Sequence, residues 1–219
     1  MKLLSHDIDV YGTSKFFQEI KPLLSKPQYK HFLNFISGII NCEDKTINSI
    51  SQTFVICVDQ SSMDRFLNLS AWDPIPIKNK IFEFLDRDKR TATNDSGLII
   101  LDDSVLEKTN GKIEGVAKFY STSKKGFVYA HNIISLHYSD HVKSYPIDFC
   151  FYLKEKDFRE GRISPDFQFQ TKIDLAVKLL EENVPRTKAK TIVFDSWYFS
   201  KKIVKTINNL GLNWVTRAK

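Results

Sequence analysis

Two periodicities divide this chain. Over 29–40 the apolar residues Phe32, Leu33, Phe35, Ile36, Ile39 and Ile40 recur at helical spacing and predict a helix with that face buried. The segment 43–50 opens on Glu43 and Asp44, acids suited to a helix N-terminus, and carries Ile47 and Ile50 one turn apart. A third helix is predicted from Asp59-Gln60-Ser61-Ser62, which offers capping side chains, and is expected to bury Met63, Phe66, Leu67 and Leu69. Trp72-Asp73-Pro74-Ile75-Pro76 is expected to end it, because proline disfavours helical geometry in the residue before it. A further helix over 78–85 presents Ile81, Phe82 and Leu85. Short helices joined by polar turns predict a compact bundle. Its basic residues are spread out, so a packing domain and a helix-turn-helix DNA reader fit it equally.

The run 86–97 is polar throughout and makes the best boundary, giving an expected helical domain at 1–92 and a second domain at 93–219. Strand patterns follow it. The run 98–101 is apolar, 103–123 is loop-like, and 127–138 and 145–153 are rich in aromatic and β-branched residues, with a hairpin connection at 139–144. Ser164-Pro165-Asp166 is expected to start a helix reaching Glu182, with Phe169, Ile173, Ala176, Val177 and Leu180 along one stripe. After a strand at 191–194 come a helix at 200–210, stopped by Gly211, and a last strand at 212–216. The predicted class is α/β, with the order β-β-β-α-β-α-β behind a helical N-terminal domain.

Composition narrows the function classes. With 219 residues and 42% hydrophobic content the chain can bury a real core, so wholesale disorder is excluded. A formal net charge of +6 leans towards an anionic partner. Cys42, Cys57 and Cys150 are odd in number and widely spaced, which argues for a reducing compartment without structural zinc. The histidines are scattered, and His131, His137 and His141 fall in or just after a strand pattern, where partly exposed packing roles are expected. The start, Met1-Lys2-Leu3-Leu4-Ser5-His6-Asp7, has no long apolar stretch, and no run approaches membrane-spanning length. A cytoplasmic, nucleoid-associated protein with no membrane partner is the expectation.

Asp102 and Asp195 carry the chemistry. Each closes a short apolar strand pattern, Leu98-Ile99-Ile100-Leu101 and Thr191-Ile192-Val193-Phe194. A carboxylate at the end of a buried strand is costly unless a cation meets it. The element order is the skeleton of the RNase H-like fold, here incomplete, in which the first and fourth predicted strands are neighbours. That would put the two carboxylates side by side, half of a site for Mg²⁺ (or Mn²⁺) and phosphodiester chemistry.

The ordered set Leu101-Asp102-Asp103-Ser104 with a following Lys-Gly loop, Phe194-Asp195-Ser196-Trp197-Tyr198-Phe199-Ser200, and Trp214-Val215-Thr216-Arg217 resembles the DDE transposases of bacterial and archaeal insertion sequences. Upstream, Ser37-Gly38-Ile39-Ile40 with Lys45-Thr46-Ile47, and Asp64-Arg65-Phe66-Leu67 with Ser70-Ala71-Trp72-Asp73, resemble their helical N-terminal region. The resemblance implies cut-and-paste DNA transposition, with Asp102 as first acid and Asp195 as second, both catalytic and metal-binding. Asp103 is the rival for the first position, or a supporting residue beside it; strand alternation points the two apart, and Asp102 is preferred because it directly follows the apolar run. The implied partners are transposon-end and target DNA, with a homodimer or a synaptic complex with full-length transposase.

The third acid of such enzymes, a glutamate, lies on a helix beyond the last strand. Here no Asp or Glu occurs from Ser196 to Lys219, so a truncated form with reduced or no activity is expected. Glu181 and Glu182 precede Asp195 and fit a solvated helix end. Lys124, Lys125, Lys201, Lys202 and Arg217 are candidate DNA-binding residues, and Lys118 could also contact phosphate; a solvated basic face explains each equally. Trp197 and Tyr198 suit packing of the helix start better than base stacking. The alternative function is a non-catalytic fragment that binds transposon ends or regulates a full-length enzyme; a third reading is an unrelated RNase H-like nuclease.

Overall fold

The structure is a computed structural model and describes residues 14–54 and 59–217. The opening residues 1–13 and Cys57 lie outside the described residues. Two compact units divide between Asp88 and Lys89, inside the polar run.

The first unit holds α1 (Ser14–Ile20), α2 (Lys26–Asn41), α3 (Ile47–Gln52), α4 (Gln60–Asn68) and α5 (Pro74–Arg87). Local chemistry sets their starts. Ser25 and Gln28 form a reciprocal capping box on α2, Thr46 caps α3, and the Asp59 carboxylate accepts from the Ser62 N–H at 2.7 Å to cap α4. Pro74 and Pro76 differ from expectation: they lie in the first turn of α5, where Asp73 caps the Ile75 N–H at 2.9 Å and a missing proline N–H costs nothing.

One core cluster joins Cys42, Ile50, Phe54 and Met63 with Phe35 and Ile47; another joins Ile20, Leu24 and Ile77 with Phe16, Tyr29, Phe32 and Trp72. The buried positions of α2 are Asn34, Ser37 and Gly38, not Ile39 and Ile40, which are exposed. The reason is close helix approach. A Cβ at Gly38 would stand 2.3 Å from Ile50 Cγ2, so α3 seats against the small residues and turns the two isoleucines outward. Leu69, just past the end of α4, is likewise exposed rather than buried.

The second unit is built on one six-stranded sheet, with β1 (Leu98–Glu107), β2 (Ala117–Ser121), β3 (Gly126–Ser139), β4 (Ser144–Tyr152), β5 (Thr191–Phe194) and β6 (Asn213–Thr216). β3 pairs antiparallel with β1, β2 and β4, whereas β1, β5 and β6 run parallel. β2 and β4 take successive stretches of β3, Gly126 to Ala130 and then Asn132 to Ser139. This is the mixed, open sheet of RNase H-like folds, preceded in the chain by helices.

Three expectations are corrected here. The region 103–123 is not all loop, because β1 continues through Glu107 and β2 adds a strand; the polar pair Asp103-Ser104 stays extended because β3 supplies a ladder for it. The helix expected from residue 164 begins only at Lys172, as α7 (Lys172–Asn183), where Thr171 and Asp174 make a capping box. Phe169 therefore sits outside the helix and is exposed.

A short α6 (Glu155–Arg159) precedes α7, and α8 (Lys201–Asn209) follows β5. α7 packs on β3, β4 and α8, burying Leu175, Ala176, Leu179 and Leu180. α8 buries Ile203, Thr206 and Ile207. Side-chain alternation gives the sheet two unlike faces. Ile99, Leu101, Ile134, Leu136, Ile192 and Phe194 are buried on the helix-covered face. The other face leaves Phe149, Phe151 and Val215 exposed.

Candidate active site

Three parallel strands bring the candidate residues into line. Leu101 is the register partner of Phe194, and Phe194 of Thr216, so the next residue of each strand direction is Asp102, Asp195 and Arg217 respectively. All three line one open hollow of about 460 Å³ with Ile100, Val193 and Val215. A larger hollow of about 530 Å³, lined by side chains such as Phe151, Phe158 and Phe167, includes none of the three.

Asp102 and Asp195 are exposed, and each has one carboxylate oxygen fixed by the backbone just beyond it. Asp102 Oδ1 accepts from the Asp103 N–H at 2.8 Å. Asp195 caps the 3-10 turn Ser196–Tyr198, its Oδ1 accepting from the Trp197 N–H at 2.8 Å and the Ser196 hydroxyl at 3.2 Å. No described basic side chain forms an ion pair with either. Both carboxylates thus meet the hollow held but not neutralised.

Asp103 points to the opposite, helix-covered face. Its Oδ2 accepts from Lys172 Nζ at 2.7 Å and from Asn132 Nδ2 at 2.8 Å, and its Oδ1 accepts from the Tyr198 hydroxyl at 3.2 Å. Burial pushes the Asp103 carboxyl up, but the hydrogen bonds from Asn132 and Lys172, the Lys172 charge and the Tyr198 hydroxyl together hold it below its ordinary value. Burial first, and then the neighbouring Asp103 charge, raise the Tyr198 hydroxyl well above its usual range, so it acts as a donor. The alternation that separates Asp102 from Asp103 leaves one carboxylate facing solvent and ties the other into the fold.

The remaining candidates are dispersed. Lys124 pairs with Glu107 at the far end of β1, and Lys125 adopts a left-handed conformation, φ 51°, in the β2–β3 turn. Lys202 pairs with Asp174, while Lys201 is exposed on the first turn of α8. Of the five basic candidates only Arg217 lines the hollow with the acids. Glu181 and Glu182 are exposed near the end of α7. Tyr198 is fully buried and Trp197 is 52% exposed. His131 and His137 are partly exposed; their Nε2 atoms meet the Glu114 carbonyl at 2.9 Å and the Ser144 hydroxyl at 2.8 Å.

Lys172, Asn132 and the role of Tyr198 were not legible as site chemistry. One signal was available for Lys172: a cation on the first residue of a helix opposes the helix dipole and asks for a carboxylate elsewhere.

A family profile described as DDE superfamily endonuclease matches residues 16–219. The chain belongs to that family. Among solved structures, the Drosophila P element transposase strand transfer complex is similar to this DDE-family chain at 11% identity and a TM-score of 0.37. The match covers 91% of this chain and 43% of that one, so the DDE-family chain spans less than half of the transposase's length. No curated protein matches it.

Metal-dependent chemistry is associated with the DDE family, and the donor set can be tested against it. Hard oxygen ligands at an open rim suit Mg²⁺, which keeps several waters, and the Asp102 and Asp195 carboxylates meet that requirement. Among the described residues no group of three acids, histidines or cysteines is placed to hold a metal ion. No helix among the described residues is long and apolar enough to cross a membrane.

Proposed function

We propose that this chain carries part of the DNA-cleaving and strand-transferring core of a cut-and-paste transposase, with Asp102 and Asp195 as the catalytic carboxylates that hold Mg²⁺ or Mn²⁺. The observation that carries this reading is the register of β1 and β5, which sets the two acids after paired residues Leu101 and Phe194 and against one hollow. When bound there, a divalent ion supplies a nucleophilic water and stabilises charge on the leaving oxygen. Asp102 and Asp195 orient the site through oxygens already fixed by backbone N–H groups. Arg217 offers a fork of donors to a DNA phosphate beside them. Lys201 and the β2–β3 turn lysines extend phosphate contact, and the helical region, residues 1–92, contributes to binding of the transposon end. Two copies, or one copy with a full-length transposase, would act in a synaptic complex.

The test is Mn²⁺-dependent nicking of a plasmid carrying the element's ends. Loss of nicking in both Asp102→Asn and Asp195→Ala, with Asp103→Asn less affected when folded, supports the reading; nicking unchanged by both sinks it.

A second reading is favoured by the lack of a third acid beside the pair among the described residues. In it these 219 residues bind DNA ends without cutting or joining them. End binding that survives Asp195→Ala, with no nicking by any form, selects that reading.

A further inference from the structure

The two exposed acids share a hidden support. The N–H that fixes Asp102 belongs to Asp103, and the N–H that fixes Asp195 belongs to Trp197. The side chains of these same two residues meet at one cation. Lys172 Nζ lies 2.7 Å from Asp103 Oδ2 and 5.2 Å from the centre of the Trp197 ring, and 5.4 Å from that of Tyr152. Tyr198 closes the circuit, donating to Asp103 Oδ1 at 3.2 Å while its ring packs edge-on to Trp197 with centres 5.0 Å apart.

Each link has a physical reason to be stiff. The Lys172 side chain is 18% exposed and the Asp103 side chain 23%, so water screens their pair weakly and its geometry is defined. The lysine stands on the first residue of α7, where Thr171 and Asp174 fix the helix start. Its ammonium is held over Trp197 by attraction to the ring face. Asn132 from β3 adds a donor to Asp103 at 2.8 Å.

We propose that Lys172 is a positioning residue for the Asp102–Asp195 pair, a single cation at the start of α7 that sets β1 and the turn after β5 relative to each other. This rests on the reading of the two acids as metal ligands. Lys172 itself lies behind the site and touches neither carboxylate. Removing its charge leaves Asp103 to Asn132 and Tyr198 and leaves Trp197 to the Tyr198 ring, removes the cation that both side chains share, and so widens the range of separations between the two carboxylates. A metal held by two acids, with no third ligand placed beside them among the described residues, is sensitive to that spread.

The experiment is Mn²⁺ binding, titrated alone into the intact 219-residue chain and followed by water-proton relaxation, with circular dichroism reporting the fold. The variants are Lys172→Met, Lys172→Arg, Asp102→Asn and the charge-balanced double variant Asp103→Asn with Lys172→Met. Lys172→Met is expected to weaken binding about tenfold with secondary structure retained, and Lys172→Arg to recover most of it, since a cation is again present. If Lys172→Met does not fold, the double variant leaves no unpaired buried charge and supplies the same reading. Wild-type Mn²⁺ affinity in folded Lys172→Met or in the double variant overturns the proposal, even where unfolding occurs at lower temperature. Asp102→Asn separates the two levels: binding unchanged by it overturns the metal-site reading and this inference together, whereas binding lost in Asp102→Asn but intact in Lys172→Met overturns this inference alone.

Discussion

Leu101 and Phe194 are register partners in adjacent parallel strands, both buried under the helices, and the residue after each is an aspartate turned towards the opposite face. Strand alternation makes this arrangement obligatory once the two apolar side chains are inside. The core thereby positions the two carboxylates.

Arg217 follows Thr216, the next partner in that row. Arg217→Ala is expected to weaken DNA binding about equally for all sequences and to lower the salt dependence of binding by about one unit of slope, the loss of one phosphate contact. Lys124→Ala should change the slope less, because Lys124 already pairs with Glu107. Fluorescence anisotropy across a salt series checks both, and equal slopes for wild type and Arg217→Ala would remove Arg217 from the interface.

Acid should loosen the sheet unit through particular carboxylates. Asp140, with a side chain only 4% exposed, takes hydrogen bonds from Lys143, the Val142 N–H and Tyr138, and lies far below its ordinary value of 3.8. Asp174 is drawn down to about 2, first by Lys202 and then by Thr171. A carboxyl depressed in the folded state contributes stability that is complete above its unfolded value and lost as pH falls through the folded one. Urea midpoints are therefore expected to hold at neutral pH and decline as pH falls from 3.8 towards 2. Asp140→Asn should lower the neutral midpoint and flatten the acid decline; curves parallel to wild type would contradict the assignment.

Gly38 is where α3 approaches α2. An added Cβ would stand 2.3 Å and 2.8 Å from the two γ carbons of Ile50, a branched side chain with no room to retreat inside its core cluster. Gly38→Ala is expected to destabilise the helical unit by about 1–3 kcal/mol through overpacking. Ile50→Ala removes both γ carbons, so the double variant with Gly38→Ala is expected to lose less than the sum of the two single losses, as measured by equilibrium urea unfolding.

Thr171 accepts from the Asp174 N–H at 3.2 Å and donates its hydroxyl to the Asp174 carboxylate at 2.7 Å. Thr171→Ala is expected to cost about 1 kcal/mol of stability, a typical cap loss. Faster hydrogen exchange at the start of α7 is the local check, and unchanged exchange there would show that tertiary contacts alone hold the helix start.

Much of the second unit was legible from residue pattern. The apolar runs before Asp102 and Asp195 were long and clean enough to read as buried strands, and the aromatic and β-branched run over 127–138 reads as β3 almost to the residue. The continuation of β1 through Asp103 and Ser104 was not legible, since its polar residues become strand only by pairing with Ile134 and Ile133. The start of α7 differs from the pattern because Ser164-Pro165-Asp166 also offers capping chemistry, whereas Thr171 with Asp174 makes the reciprocal box. Ile39, Ile40 and Leu69 matched helical spacing, yet packing chose the smaller residues of α2 and the Met63 and Phe66 side chains of α4.

By itself the sequence determined which segments are helix or strand wherever hydrophobic period is strong, and it marked two carboxylates that directly follow apolar strand runs, because burial preference is written residue by residue; that Asp195 ends its strand while Asp102 lies inside β1 was set by pairing with β3. Only the tertiary structure decided that Asp102 faces the hollow while Asp103 is consumed by Lys172, Asn132 and Tyr198. Those partners come from α7, β3 and the turn after β5. Neutralisation of a charge depends on proximity in space, which local pattern does not encode.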